Sequence, residues 1–294
     1  MAGTGSAIAI LASLVLAQEP SGEVDSLSAE QRDFIERFLG PEERPRSSVA
    51  ERSDAASVLV AEMERRGLDA RRRPYRAPNV HPLLDLIMPP FAGENVTALI
   101  PATDGDGSII VVGAHYDSEA GSPGADDNAT GVAAILSIAE AITALPERRH
   151  GVLLAFFDQE EEGKIGSAAL VRQLLNDGID VHSMHSIDMA GWDSDGDRAI
   201  EIDAPDDWFP RYARIAATMG IPVTRVTYDS SDHVSFRDQG IPAICMGEAF
   251  QARDSSPHRH RSTDTANTIN HAYLARNTRL MQAVLLDALS GGGE

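Results

Sequence analysis

The chain has 294 residues, 43% of them apolar, which is enough to bury one sizeable core and lies near the upper limit for a single core. Its formal charge of −20 argues against nucleic acid or an anionic membrane surface as a partner. The lone cysteine, Cys245, excludes an intramolecular disulfide, and its setting in IPAICMG reads as a small core residue on a buried strand.

In chain order, Ala7 to Ala17 form a largely apolar run of 11 residues, too short to cross a bilayer as a helix. Val15 and Ala17 place small residues where a signal peptidase cuts. Residues 1–17 are therefore expected to be a signal peptide, with Gln18 as the mature N-terminus and the product secreted or periplasmic. No lysine or arginine precedes the run, so an uncleaved N-terminal helix is the alternative. Residues 18–92 hold AEQRDFIERFLG and RSSVAERSDAASVLVAEMERRG, both with helical apolar spacing, and Gly67 suits a helix stop. The arginine- and proline-rich RRRPYRAPNVHPLLDLIMPP reads as an irregular connection or an edge strand on the same domain. From 93 to 294, strands expected at 94–101, 108–114, 151–157, 184–189, 199–203 and 241–246 alternate with helices. That pattern predicts a single α/β domain, a three-layer α/β/α arrangement around a mixed, mostly parallel sheet.

The chemistry concentrates at the ends of those strands. GAHYDSEAGSPGADDNATG puts His115, Asp117, Asp126, Asp127 and Asn128 between a buried strand and a helix starting near Ala129. A histidine and aspartates gathered there suit a zinc or manganese site, while the plainer reading makes Asp126 to Asn128 helix caps. After GVLLAFF, Glu160, Glu161 and Glu162 stand in a row, and like charges so close are normally avoided. They make sense if one ligates a metal while its neighbour shuttles protons. Asp188 ends another apolar strand, and PHRHRSTDT places His258, His260 and Asp264 before the last helix.

In order and local context these segments resemble the co-catalytic zinc aminopeptidases of metallopeptidase family twenty-eight, of the bacterial secreted leucyl aminopeptidase type, over roughly residues 93–290. The resemblance implies two zinc ions sharing Asp127, with His115 and Asp188 on one, Glu161 and His260 on the other, and Asp117 orienting the His115 ring. It further implies Glu160 as general base towards a metal-bridging water. Counting back from Gly166 and Ser167 selects this register; the shifted one, Glu161 as base and Glu162 as ligand, stays open. The pair Asp264–Thr265 selects His260 and leaves His258 near the rim. YDSSDH suggests the Tyr228 hydroxyl as an oxyanion donor, with an ordinary loop aromatic as the alternative. Ser231, Asp232 and His233 are expected to shape the pocket wall, and Met189 to favour apolar N-terminal side chains, with an ordinary core position as the alternative for Met189.

The substrates so implied are peptides with a free N-terminus, and other divalent metals suit the same ligands. Rival readings are a glutaminyl-peptide cyclase of the same fold, which FFDQEE also suggests, a carboxypeptidase using Arg211, Arg214, Arg225 or Arg237, and a non-enzymatic binding relative. Cyclases generally use a single zinc and depart from the GADDNATG loop, so the intact loop favours hydrolysis.

Overall fold

The computed structural model describes residues 21–78, 89–105 and 107–291. The expected signal peptide lies outside these residues, as does most of the segment after Ala77. Among the described residues two helices come first, α1 (Ser21–Leu39) and α2 (Val49–Arg65). Ser48 caps α2 with a reciprocal capping box, its side chain accepting from the Glu51 N–H while Glu51 returns to the Ser48 N–H. Beyond α2, Gly67 takes a φ of +77°, the left-handed turn that glycine adopts without strain.

Among the described residues eight strands form one mixed sheet in the order β1-β2-β4-β3-β5-β8-β6-β7. They are β1 (Ala70–Ala77), β2 (Phe91–Ile100), β3 (Ile109–His115), β4 (Gly151–Phe157), β5 (Val181–Ile187), β6 (Ile200–Asp203), β7 (Val223–Val226) and β8 (Ala243–Gly247). The basic run 70–77 is thus the edge strand, antiparallel to β2, and a half-exposed β7 is added at the other edge, where no strand is expected from the sequence. The inner strands β4, β3, β5 and β8 are mutually parallel. Their C-terminal ends therefore share one edge of the sheet, where open α/β sheets carry their sites. β3 and β4 are buried throughout, which is why they read as unbroken apolar runs rather than alternating ones.

The remaining helices are α3 (Thr130–Ala144), α4 (Ile165–Asn176), α5 (Phe209–Thr218), α6 (His233–Arg237) and α7 (His271–Leu289). Alternate strand residues divide between two cores. Ile110, Val112 and Ala114 pack with α1, α2, α3, α5 and α7, whereas Ile109 and Val111 pack with α4 and α6. The result is the expected three-layer order, helices on both faces of a mixed sheet. Among the described residues no helix is long and apolar enough to cross a membrane. Phe156 is fully buried on β4 against the larger core. Phe156→Ala is expected to lower the unfolding free energy by about 3–5 kcal/mol, measured by urea unfolding of the metal-free protein.

Candidate metal centre

Strand geometry brings four loops together. β3 ends on His115, which pairs in register with Phe157 at the end of β4, and Gly113 pairs with Ser186 near the end of β5. The loops leaving these strands carry Asp117 to Asp127, Glu160 and Glu161, and Asp188. The loop after β8 returns His260 to the same place.

Asp127 stands at the middle of the group. One carboxylate oxygen lies 3.2 Å from His115 Nε2 and the other 3.3 Å from His260 Nε2. His115 Nε2 is also 3.5 Å from an Asp188 oxygen, and His260 Nε2 is 2.9 Å from Glu161 Oε2. Two donor groups therefore meet at one shared carboxylate: His115 with Asp188, and His260 with Glu161. Asp117 lies 3.6 Å from His115 Nδ1, and its two oxygens accept the N–H groups of Glu160 (3.1 Å) and Glu161 (3.2 Å). One side chain thereby aligns the histidine strand with the glutamate loop.

The Asp127 backbone is held just as tightly. A kinked turn, Ala125–Ala129, whose backbone is non-helical at Asp127 and Asn128, precedes α3, and the peptide between Asp127 and Asn128 is cis. The Asp264 carboxylate accepts the N–H groups of Asp126 (2.9 Å) and Asp127 (3.1 Å). Asn128 donates to the Ile187 carbonyl and accepts from the N–H groups of Gly131 and Met189. The capping function read for this loop is real for Asn128, and the same amide also ties the loop to the end of β5.

The other expected residues fall in different places. Glu162 turns away, 3.3 Å from Arg52 and accepting from Gln159 Nε2 at 2.9 Å, so Glu161 is the glutamate that faces His260. His258 bonds Thr263 and lies edge-on to Trp192, apart from the group. His233 is fully buried and faces Asp203 at 3.2 Å. Asp232 is buried with neither carboxylate oxygen hydrogen bonded, and its charge is felt by Glu160. Met189, φ +54°, is buried beside Asp188, and Ser231 is also buried, φ +70°. The Tyr228 hydroxyl, the expected oxyanion donor, donates to Glu201 Oε2 at 2.5 Å. The sequence reading did not single out Arg259, whose Nε is 3.3 Å from Asp127. It also passed over Glu119, whose N–H donates to Glu161 Oε1. Both sit close along the chain to recognised residues, and that proximity is the signal that could have found them.

The donor set suits a divalent metal. Both His115 ring nitrogens and His260 Nε2 are buried without a hydrogen bond although carboxylates surround them. Ligating atoms of His115, Asp127 and Glu161 lie within 4.8 Å of one another. Nitrogen and carboxylate oxygen donors converging in this way match zinc and its neighbours.

Without a cation the group retains protons. Burial opposes the His115 imidazolium, but Asp117, Asp127 and Asp188 outweigh it and hold its pKa well above the usual histidine range. Asp127 likewise holds His260 up. Burial pushes Glu161 to about 7, Asp232 to about 7 and Asp126 to about 8, and raises Glu160 well above its ordinary range. Asp127 runs the other way, because His115 and His260 overcome its burial, and its contribution is lost only in strong acid. For every raised group the folded chain binds more protons than the unfolded one, so stability falls as pH climbs through the raised values. The melting temperature of metal-free protein is expected to drop between about pH 5 and pH 8, and zinc is expected to remove most of that slope in a calorimetric scan.

Known proteins resemble the chain in sequence and in fold. A protein of Arthroderma otae named "probable leucine aminopeptidase" is 28% identical over 210 residues, covering 65% of this chain and 55% of the relative. The chain thus spans about half the length of that relative. Among solved structures, a zinc aminopeptidase from Bacillus subtilis superposes with a TM-score of 0.78 at 16% identity, covering 91% of this chain and 95% of its own. A glutaminyl cyclase from Fimbriiglobus ruber superposes with a TM-score of 0.73 at 16% identity, covering 88% and 94%. The sequence profile of peptidase family M28 matches residues 95–285, which include every residue of the two donor groups, and the chain belongs to that family.

Proposed function

We propose that the chain is a zinc-dependent aminopeptidase that removes N-terminal, preferentially apolar residues from peptides. The observation that carries this reading is the Asp127 carboxylate set between two imidazoles, with one oxygen towards each. His115, Asp188 and one Asp127 oxygen would hold one ion, and His260, Glu161 and the other oxygen a second. When bound, the pair supplies Lewis acidity and an acidified water at neutral pH. Asp117 fixes the His115 ring and, through two backbone N–H groups, the direction of Glu160.

Glu160 is the general base. Its burial, with Asp232, Asp188 and Asp117 nearby, raises its affinity for a proton in the metal-free chain; bound cations would offset that and leave a carboxylate able to take a proton from water and return it to the departing amine. The same carboxylates make the pocket attractive to a cationic N-terminus. Met189 and Ser231, buried next to Asp188 and Asp232 in the chain, would line its wall. The Tyr228 hydroxyl can serve an oxyanion only by leaving Glu201. Paired donor groups, rather than one, support hydrolysis over the cyclase reading that the shared fold also permits. Export follows from the apolar N-terminal run and belongs to the same proposal.

Leucyl anilide hydrolysis by the purified protein is the test. Chelation is expected to abolish it and about two zinc equivalents per chain to restore it. Glu160→Gln is expected to lower kcat by about 10²–10⁴-fold with metal content unchanged. Near-normal turnover by that variant with both metals bound would remove Glu160 from the mechanism. A zinc-loaded, folded protein that cyclises N-terminal glutamine and leaves anilides intact would replace hydrolysis by the cyclase reading.

A further inference from the structure

Arg46 lies in the connection between α1 and α2, outside the span matched by the family profile, yet only 3% of it is exposed. Every hydrogen bond it donates reaches the loop between His115 and Asp127. Its backbone N–H donates to Ser118 Oγ at 2.9 Å. Its guanidinium donates to the carbonyls of Tyr116 (2.6 Å), Pro123 (2.5 Å) and Gly124 (2.9 Å). The aromatic face of Phe38 covers the guanidinium from α1, 5.0 Å away.

These contacts fall at both ends of the 116–124 loop. Tyr116 immediately follows His115, and Gly124 immediately precedes the turn that carries Asp127. A planar fork bonded at both ends fixes their separation, which a point-charge ammonium with tetrahedral donors does not do. Gly124 shows how closely the fork is fitted: at φ +66°, a Cβ there would stand 2.9 Å from a guanidinium nitrogen and 2.4 Å from the Asp127 carbonyl oxygen. Burial lowers the Arg46 pKa to about 10, and Asp117, Asp264, Asp127 and Glu161 support its charge, so it stays cationic at neutral pH. The same N-terminal stretch reaches the glutamate loop as well, where Arg52 Nε lies 2.8 Å from Asp158 and its Nη1 3.3 Å from Glu162.

We propose that Arg46 is a positioning residue of the metal centre, setting the spacing of His115 and Asp127 through the carbonyls at either end of their loop. This rests on the metal-centre reading above and makes the N-terminal segment part of the site. Zinc dissociation constants, measured by competition with a chromogenic chelator, test it in the full chain, in Arg46→Lys and in Arg46→Met, alongside circular dichroism and the metal-free melting temperature.

Both variants are expected to bind zinc about 10–100-fold more weakly while keeping their secondary structure, because lysine retains the charge but not the fork. Zinc affinity in folded Arg46→Lys within about twofold of the parent overturns the proposal, whatever happens to the melting temperature. Retention by Arg46→Lys with loss in Arg46→Met would also overturn it, since charge rather than geometry would then be what matters. If Arg46→Lys fails to fold, Arg46→Gln, which keeps one planar amide donor but not the fork that spans both ends of the loop, takes its place; weaker zinc binding supports the proposal and unchanged binding refutes it. A parent chain that binds no zinc refutes the metal-centre reading itself, which separates the two failures.

Discussion

Repulsion among buried carboxylates governs this molecule. Asp117, Asp127, Asp188, Glu160 and Glu161 converge at one edge of the sheet, and Asp126, Asp232 and Asp264 stand just behind them. Two like charges 4 Å apart repel by about 4 kcal/mol at the effective dielectric of a protein site, so a few uncompensated pairs rival the whole stability of a domain. The fold tolerates the cluster only with compensating cations or protons. In metal-free form the imidazoles of His115 and His260, Arg46 and retained carboxyl protons supply them. A binding site for divalent cations is the direct consequence of that imbalance.

The scaffold works against the repulsion with main-chain dipoles as well as charges. Asp117 accepts two N–H groups from the glutamate loop, and Asp264 accepts two from the Asp126–Asp127 turn. Each carboxylate thus stabilises its own charge while locking a neighbouring loop. The parallel block of β3, β4, β5 and β8 makes this possible, because it delivers four loops to one edge with a spacing set by the ladder hydrogen bonds. Donors presented on such an edge hold their places better than donors on independent loops.

Local pattern made the architecture legible before any coordinates. Strands β3 and β4 showed as continuous β-branched and aromatic runs because both faces are buried, and helices α1 and α2 showed through apolar spacing and, for α2, a glycine stop. The four-residue β7, half-exposed with VTRV, has too short a pattern to register. Motif order carried the family resemblance, and that resemblance implied His115, Asp127, Glu161, Asp188 and His260 as one set while leaving a shifted glutamate register open.

Only the tertiary structure decided what depends on partners distant in the chain. Three consecutive glutamates left two registers open, with the spacing to Gly166 and Ser167 favouring one; His260 and Arg52 separate them, drawing Glu161 and Glu162 to opposite sides. Tyr228 stands at the expected distance from Ser231, Asp232 and His233 in sequence, but its hydroxyl goes to Glu201, 27 residues away. Arg46 reaches a loop some 70 residues downstream, where no periodicity links the two segments. Hydrophobic period and motif spacing are properties of neighbours along the chain and survive in the sequence, whereas hydrogen-bond and charge partners are chosen when the sheet closes and brings remote loops within 3 Å or so of one another.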